Sequence, residues 1–194
     1  MIEIDNLMVK VGDFKIEVNK MVINNGEYAV LMGPSGAGKT IFGLQFIFNG
    51  AKEDNEECAY ITFEQSPESM EKQALQFGWD LKKLEIEDRK LLFAKYRPLQ
   101  VKENLLPLIE TTIKEINAKR AVIDSITWLG LVFPLPEFRD ILYQISQLTH
   151  ELGCTTLLLS EIPPGQFTIS RFVVEEFVAD CVIVLYNRKI NGFS

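Results

Sequence analysis

Gly33-Pro-Ser-Gly-Ala-Gly-Lys-Thr40 fits the spacing G-x-x-x-x-G-K-[ST] of a phosphate-binding loop. Glycines at Gly33, Gly36 and Gly38 let the backbone turn tightly and bring its N–H groups close to phosphate oxygens, with Pro34, Ser35 and Ala37 filling the turn between them. Ile41 opens the helix that follows, whose positive N-terminal end faces the same anion. Lys39 is placed to reach the β- and γ-phosphates, and the Thr40 hydroxyl to sit on Mg²⁺. Asp124 closes the apolar run Ala121-Val-Ile-Asp124, the Walker B pattern, and its carboxylate is the second candidate for holding Mg²⁺ through water. Glu64 closes another apolar run and is the candidate to polarise an attacking water. Ser160 ends a third run, where a hydroxyl could sense the γ-phosphate.

These residues need a scaffold that brings strand ends together. Glu27 to Met32 is an apolar run of strand length before the loop, and Ile41 to Phe48 is apolar at helical spacing after it, closed by Asn49-Gly50. Cys58–Phe63, Lys90–Lys95, Arg120–Asp124, Thr155–Ser160 and Cys181–Tyr186 read as further strands. Ser66-Pro67 is a helix start, with Ser66 as N-cap, and that helix runs to about Phe77 and stops at Gly78. Leu81 to Glu87 is a short, charged helical or turn segment, 104–118 a helix in which Pro107 fits only near the start, and 137–151 a helix capped by Gly153. Trp128 to Pro136 reads as an apolar, proline-bearing loop. Strand and helix alternate, so the expected class is α/β with a mainly parallel sheet flanked by helices. Ligands then bind at the carboxyl ends of the strands, where Gly33, Glu64, Asp124 and Ser160 all fall. Ahead of this core, Ile2, Ile4, Leu7, Val9 and Val11 alternate, Gly12-Asp13 turns, and Phe14, Ile16 and Val18 resume the alternation. A small antiparallel β segment over residues 1–25 therefore precedes a core over residues 26–194 within one domain.

A chain of 194 residues, 47% hydrophobic and 24% charged, suits one domain with a sizeable core. Its formal net charge of -7 disfavours a nucleic-acid backbone as the main partner. No apolar run is long enough to span a membrane and the acidic start Met1-Ile-Glu-Ile-Asp5 carries no signal peptide, so the cytoplasm is the expected location. Cys58, Cys154 and Cys181 are far apart and read as core thiols. His150, the one histidine, reads as a solvated helix end.

Several ordered motifs together carry a family resemblance. Gly38-Lys-Thr40 followed by 41–50, Thr62-Phe-Glu-Gln-Ser-Pro67, Phe77-Gly-Trp-Asp-Leu81, Val122-Ile-Asp-Ser125 and the segment 171–180 resemble the KaiC group of RecA-like ATPases over residues 33–186. The resemblance implies a RecA-like core that binds ATP, often assembled as a ring with nucleotide between subunits, and it implies Glu64 as the catalytic carboxylate. That group usually has a second glutamate beside the first; Gln65 stands there in this chain. Residues 1–40 instead resemble the amino-terminal end of an ABC transporter ATPase, where an aromatic stacks on adenine. The aligned position is Val11, which makes Phe14 the nearest aromatic for that role. The ABC signature L-S-G-G-Q is absent from the sequence and Asp124 is followed by Ser125, so this second resemblance stops at the phosphate loop. A hybrid chain, recombined or designed, would account for both, and so would natural divergence.

The expected activity is a slow Mg²⁺-dependent ATPase binding ATP and ADP. A nucleotide-dependent switch or scaffold with little hydrolysis is the alternative, and a DNA-handling recombinase relative is disfavoured by charge. The KaiC resemblance also implies a further strand after Cys181–Tyr186 with a Lys-x-Arg-Gly segment that reaches a neighbouring subunit's nucleotide. This sequence stops at Ser194 before any such segment, with Arg188 and Lys189 on the turn, so the expectation is a monomer or small homo-oligomer and slow turnover. No residue pattern names a protein partner.

Overall fold

Six strands form one all-parallel sheet in the computed structural model, which describes residues 2–11, 14–163, 172 and 174–186. A two-stranded sheet of β1 (Ile2–Val11) and β2 (Phe14–Ile23) comes first, paired antiparallel from Val11↔Phe14 to Ile2↔Ile23. The core strands are β3 (Tyr28–Gly33), β4 (Cys58–Thr62), β5 (Leu91–Lys95), β6 (Arg120–Asp124), β7 (Thr155–Glu161) and β8 (Cys181–Val184), in the order β5-β4-β6-β7-β3-β8. The helices are α1 (Lys39–Lys52), α2 (Pro67–Leu75), α3 (Leu81–Ile86), α4 (Pro98–Ile116), α5 (Ile126–Val132) and α6 (Leu135–Glu151).

Alternation along buried strands sends side chains to two separate cores. Tyr60, Val122 and Leu159 pack with Leu44, Ile47 and Met70 on the side of α1 and α2. Ala59, Ile61, Ile123 and Leu158 pack with Ile109, Ile113, Phe138 and Ile145 on the side of α4 and α6. The continuous apolar runs are thus explained by a sheet covered on both faces.

Differences from the sequence reading have local causes. Asn49 and Gly50 lie inside α1, which runs on to Lys52, because Gly50 is a packing position and not a cap. Gly78 ends the α2 region with a positive φ of 77°, and Ser66 accepts the Ser69 N–H as N-cap. The helix expected from 104 starts at Pro98 and breaks at Asn104 (φ -142°), so Pro107 falls in the first turn after a break, where its missing N–H costs little. Of the stretch 128–136, expected as loop, residues 128–132 belong to α5 (Ile126–Val132) and 135–136 open α6: Ile126, Thr127 and Leu129 are buried, and burial on several sides erased the helical period. Gly153 takes a positive φ of 62° past α6, as expected, and the exposed His150 faces the Gly26 carbonyl at 3.4 Å.

Candidate nucleotide and metal site

Register alone gathers the candidate residues. Gly33 pairs with Glu161, Leu159 with Asp124, and Asp124 with Thr62, so the ends of β3, β7, β6 and β4 form one row at the carboxyl edge of the sheet. The loop Gly33–Gly38 rises from β3 into α1. Gly36 and Gly38 have φ of 77° and 91°, a region that side chains rarely adopt, with open space above them. A Cβ on Gly33 would lie 2.9 Å from the Leu185 carbonyl oxygen, so glycine is needed there for the approach of the chain after β8. Ser35, Gly36 and Gly38 are exposed, and the first turn of α1 presents N–H groups with no partner in the helix. Ile41 packs at the margin of the α1-side core.

Lys39 is half-buried, and its ammonium donates to two carbonyls of its own loop, Gly33 O at 2.8 Å and Pro34 O at 2.9 Å. Burial lowers its pKa, opposed by the negative charges of Glu161, Asp124 and Glu64. Thr40 Oγ1 donates to Asp124 Oδ2 at 3.0 Å, which joins the loop to the end of β6. Asp124 is buried at 8% exposure, and burial raises its pKa, with hydrogen bonds from Tyr60 and Thr40 acting against that rise. Tyr60 Oη donates to the same oxygen at 2.8 Å, and burial holds its phenol far above the ordinary value, hence protonated. Glu64, exposed, accepts from the buried Ser125 hydroxyl at 3.0 Å through Oε1. Gln65 beside it accepts from the Gln73 amide at 3.0 Å.

Ser160 differs from expectation. Its hydroxyl is fully buried and donates to Glu175 Oε1 at 3.1 Å, with Thr127 Oγ1 at 3.5 Å, so it lies beneath the row of strand ends. Glu175, also fully buried, accepts the Val174 N–H through its other oxygen at 3.2 Å. Thr127 meanwhile accepts the Glu161 N–H at 2.7 Å. The side chain of Phe14 lies outside the described residues, as do Arg188 and Lys189.

Tyr60, Ser125, Thr127, Glu161 and Glu175 are the residues sequence reasoning did not assign. Ser125 and Glu161 each follow a candidate directly, and Tyr60 has the same strand parity as Thr62, so position alone could have raised these three. Nothing local marks Glu175 as a partner of Ser160, fifteen residues away.

The residues present suit a triphosphate and a hard divalent cation. Positive-φ glycines and helix N–H groups suit phosphate oxygens, and the Thr40–Asp124 pair supplies hard oxygen donors. Among the described residues no group of three or more His, Cys, Asp or Glu is placed to hold a metal by itself. That fits a cation of the Mg²⁺ kind, bound through one or two protein groups plus phosphates and water. No helix among the described residues is long and apolar enough to cross a membrane.

The chain as a whole is similar to known proteins. The profile of the KaiC ATPase family matches residues 17–193, so the likeness begins within β2, upstream of Gly33, and takes in residues 17–40, which the sequence reading sets apart from that family. The circadian clock oscillator protein KaiC of Synechococcus elongatus is 33% identical over 172 residues, covering 84% of this chain and 33% of that protein. The KaiC of Acaryochloris marina is 28% identical over 196 residues, covering 96% of this chain and 37% of that protein. The chain thus spans about a third of the length of these curated relatives. Among solved structures, the KaiC-like protein PH0186 of the hyperthermophilic archaeon Pyrococcus horikoshii OT3 matches with a TM-score of 0.76 and 36% identity, covering 86% of this chain and 74% of that one.

Proposed function

Because the chain belongs to the KaiC family of RecA-like ATPases, we propose that it binds Mg-ATP at Gly33–Thr40 and hydrolyses it slowly. The observation that carries this is the 3.0 Å contact of Thr40 with Asp124, which brings the phosphate loop and the acid-ended strand to one point. The loop glycines and the N–H groups of α1 would cradle the phosphates, and Lys39 would leave its loop carbonyls for them. Thr40 and Asp124 would hold Mg²⁺, which when bound neutralises charge on the phosphates. Glu64 would take the proton of the attacking water, oriented by its bond from Ser125. Slow turnover is supported by Gln65, an amide that cannot accept a proton where the family resemblance implies a second carboxylate. Phe14 would stack on the adenine. Its replacement by Ala should then weaken ATP binding about tenfold, by the strength of base stacking on aromatics.

Calorimetric titration with ATP, with and without Mg²⁺, and a phosphate-release assay test the reading together. Expected are Mg²⁺-promoted binding and less than about one turnover per second, against a common enzyme median near 10 s⁻¹. An unmeasurable ATP affinity in the folded chain overturns the site; rapid release overturns the slow rate alone.

A further inference from the structure

Tyr60 stands beside Val122 in the β4–β6 register, two pairs before Thr62↔Asp124. By alternation Tyr60, Val122 and Asp124 share the α1 face of the sheet. Two residues of strand rise roughly 7 Å, and a tyrosine side chain laid along the sheet spans that distance. Its Oη reaches Asp124 Oδ2 at 2.8 Å. The ring has little freedom: Tyr60 is fully buried, the Phe93 ring lies 5.7 Å away between centroids, and Gly43 of α1 faces the hydroxyl. A Cβ at Gly43 would come within 3.4 Å of that oxygen and 3.2 Å of Val122 Cγ1, so the missing side chain leaves the phenol its place. Thr40 donates to the same Oδ2, and among the described residues no hydrogen bond falls on Oδ1.

We infer that Tyr60 is a positioning residue for the metal-holding carboxylate: its hydroxyl fixes Asp124 Oδ2 and leaves Oδ1 as the acceptor for the divalent cation. The inference rests on the nucleotide-site reading above. Two donors on one oxygen set the rotation of the carboxylate about its last bond. Thr40 sits at a half-buried loop–helix junction, whereas Tyr60 is anchored in a central strand, so Tyr60 is the fixed point of the pair. Partners that orient a metal ligand typically change metal affinity 10–100-fold when removed. A phenol that merely filled the core would change folding and leave the cation's contribution alone.

The test is calorimetric titration of ATP into the parent chain, Tyr60→Phe, Asp124→Asn and the double variant, each in EDTA and in excess Mg²⁺, with circular dichroism to report the fold. Tyr60→Phe should match the parent in EDTA and lose about tenfold of the affinity gained on adding Mg²⁺. In the Asp124→Asn background the same change should have no further effect on that gain, because Tyr60 acts through Asp124. An undiminished Mg²⁺ gain in Tyr60→Phe overturns the inference. So does an equal loss with and without Mg²⁺, or an additive loss in the double variant. A parent that binds ATP with no Mg²⁺ gain overturns the inference and leaves the nucleotide loop standing. A parent that binds no ATP overturns both.

Discussion

Lys39 and Glu64 carry separable roles, and conservative replacements separate them. Among the described residues the Lys39 ammonium is engaged with carbonyls of its own loop, so its loss leaves the two cores untouched. Lys39→Ala should keep the far-ultraviolet spectrum of the parent and lose the thermal stabilisation by Mg-ATP. In the parent that stabilisation should reach about 2.7 kcal/mol at a hundredfold excess over the dissociation constant. Equal stabilisation of both proteins would remove Lys39 from the phosphate site. Glu64 is exposed and touches Ser125 through a carboxylate oxygen that an amide can replace. Glu64→Gln should therefore preserve ATP affinity and lower single-turnover hydrolysis about 10²-fold, the weight of a positioned base. Unchanged turnover would return Glu64 to a structural role.

At the scale of elements, what the sequence made legible was whatever a period or a cap encodes. β4, β6 and β7 are buried on both faces and read as apolar runs, and Glu64, Asp124 and Ser160 at or just past their ends pointed to the carboxyl edge of the sheet as the candidate site. Ser66 and Gly153 marked a helix start and a helix stop through local backbone chemistry. α5 was illegible because its short run is buried on several sides and shows no period. The Tyr60–Asp124 and Ser160–Glu175 bonds were illegible because each joins separate segments. Gly50 was misread as a helix end for a related reason: its partner lies 70 positions on, at Arg120. The Arg120 side chain is buried, donates from Nε to Glu56 at 2.5 Å, pairs with Asp54 and lies over the Phe46 ring at 5.2 Å. A Cβ at Gly50 would meet its Cδ at 2.6 Å, and a side chain held at three points cannot yield. Gly→Ala inside a helix normally stabilises by about 1 kcal/mol, while forced overpacking costs about 1–3 kcal/mol. Gly50→Ala should thus destabilise the chain by roughly 1 kcal/mol, read from the midpoint of urea unfolding. In an Arg120→Ala background the same change should turn stabilising; destabilisation in both would mean that something other than Arg120 sets the limit.

Across the whole molecule one sheet joins two cores, and a thiol stands in each. Cys58 belongs to the core under α1 and α2, Cys154 to the core under α4 and α6, and both are fully buried. Burial pushes both thiols up to about 12, against ordinary values near 9. The sign follows from proton binding. Between pH 9 and 12 the folded chain holds these protons and the unfolded chain releases them. Their stabilising contribution is therefore complete below about pH 9 and is lost as pH rises through that window. Unfolding free energy should fall on the alkaline side, and Cys58→Ala with Cys154→Ala should flatten that fall. The same protonation makes the native thiols inert near neutral pH, so a thiol reagent reacts only through opened states. Cys181 is half-buried and must be replaced by Ser to silence it. In variants that keep either Cys58 or Cys154, labelling rates under native conditions then measure the opening of each layer. β4, β6 and β7 supply side chains to both cores from the same backbone, so neither layer can leave without unpairing strands that the other needs. The two rates should agree within about tenfold, one RT ln 10 of opening free energy, and rise with urea at the same slope. Cys58 labelling far faster than Cys154 would instead mean that the layer bearing the phosphate loop opens by itself.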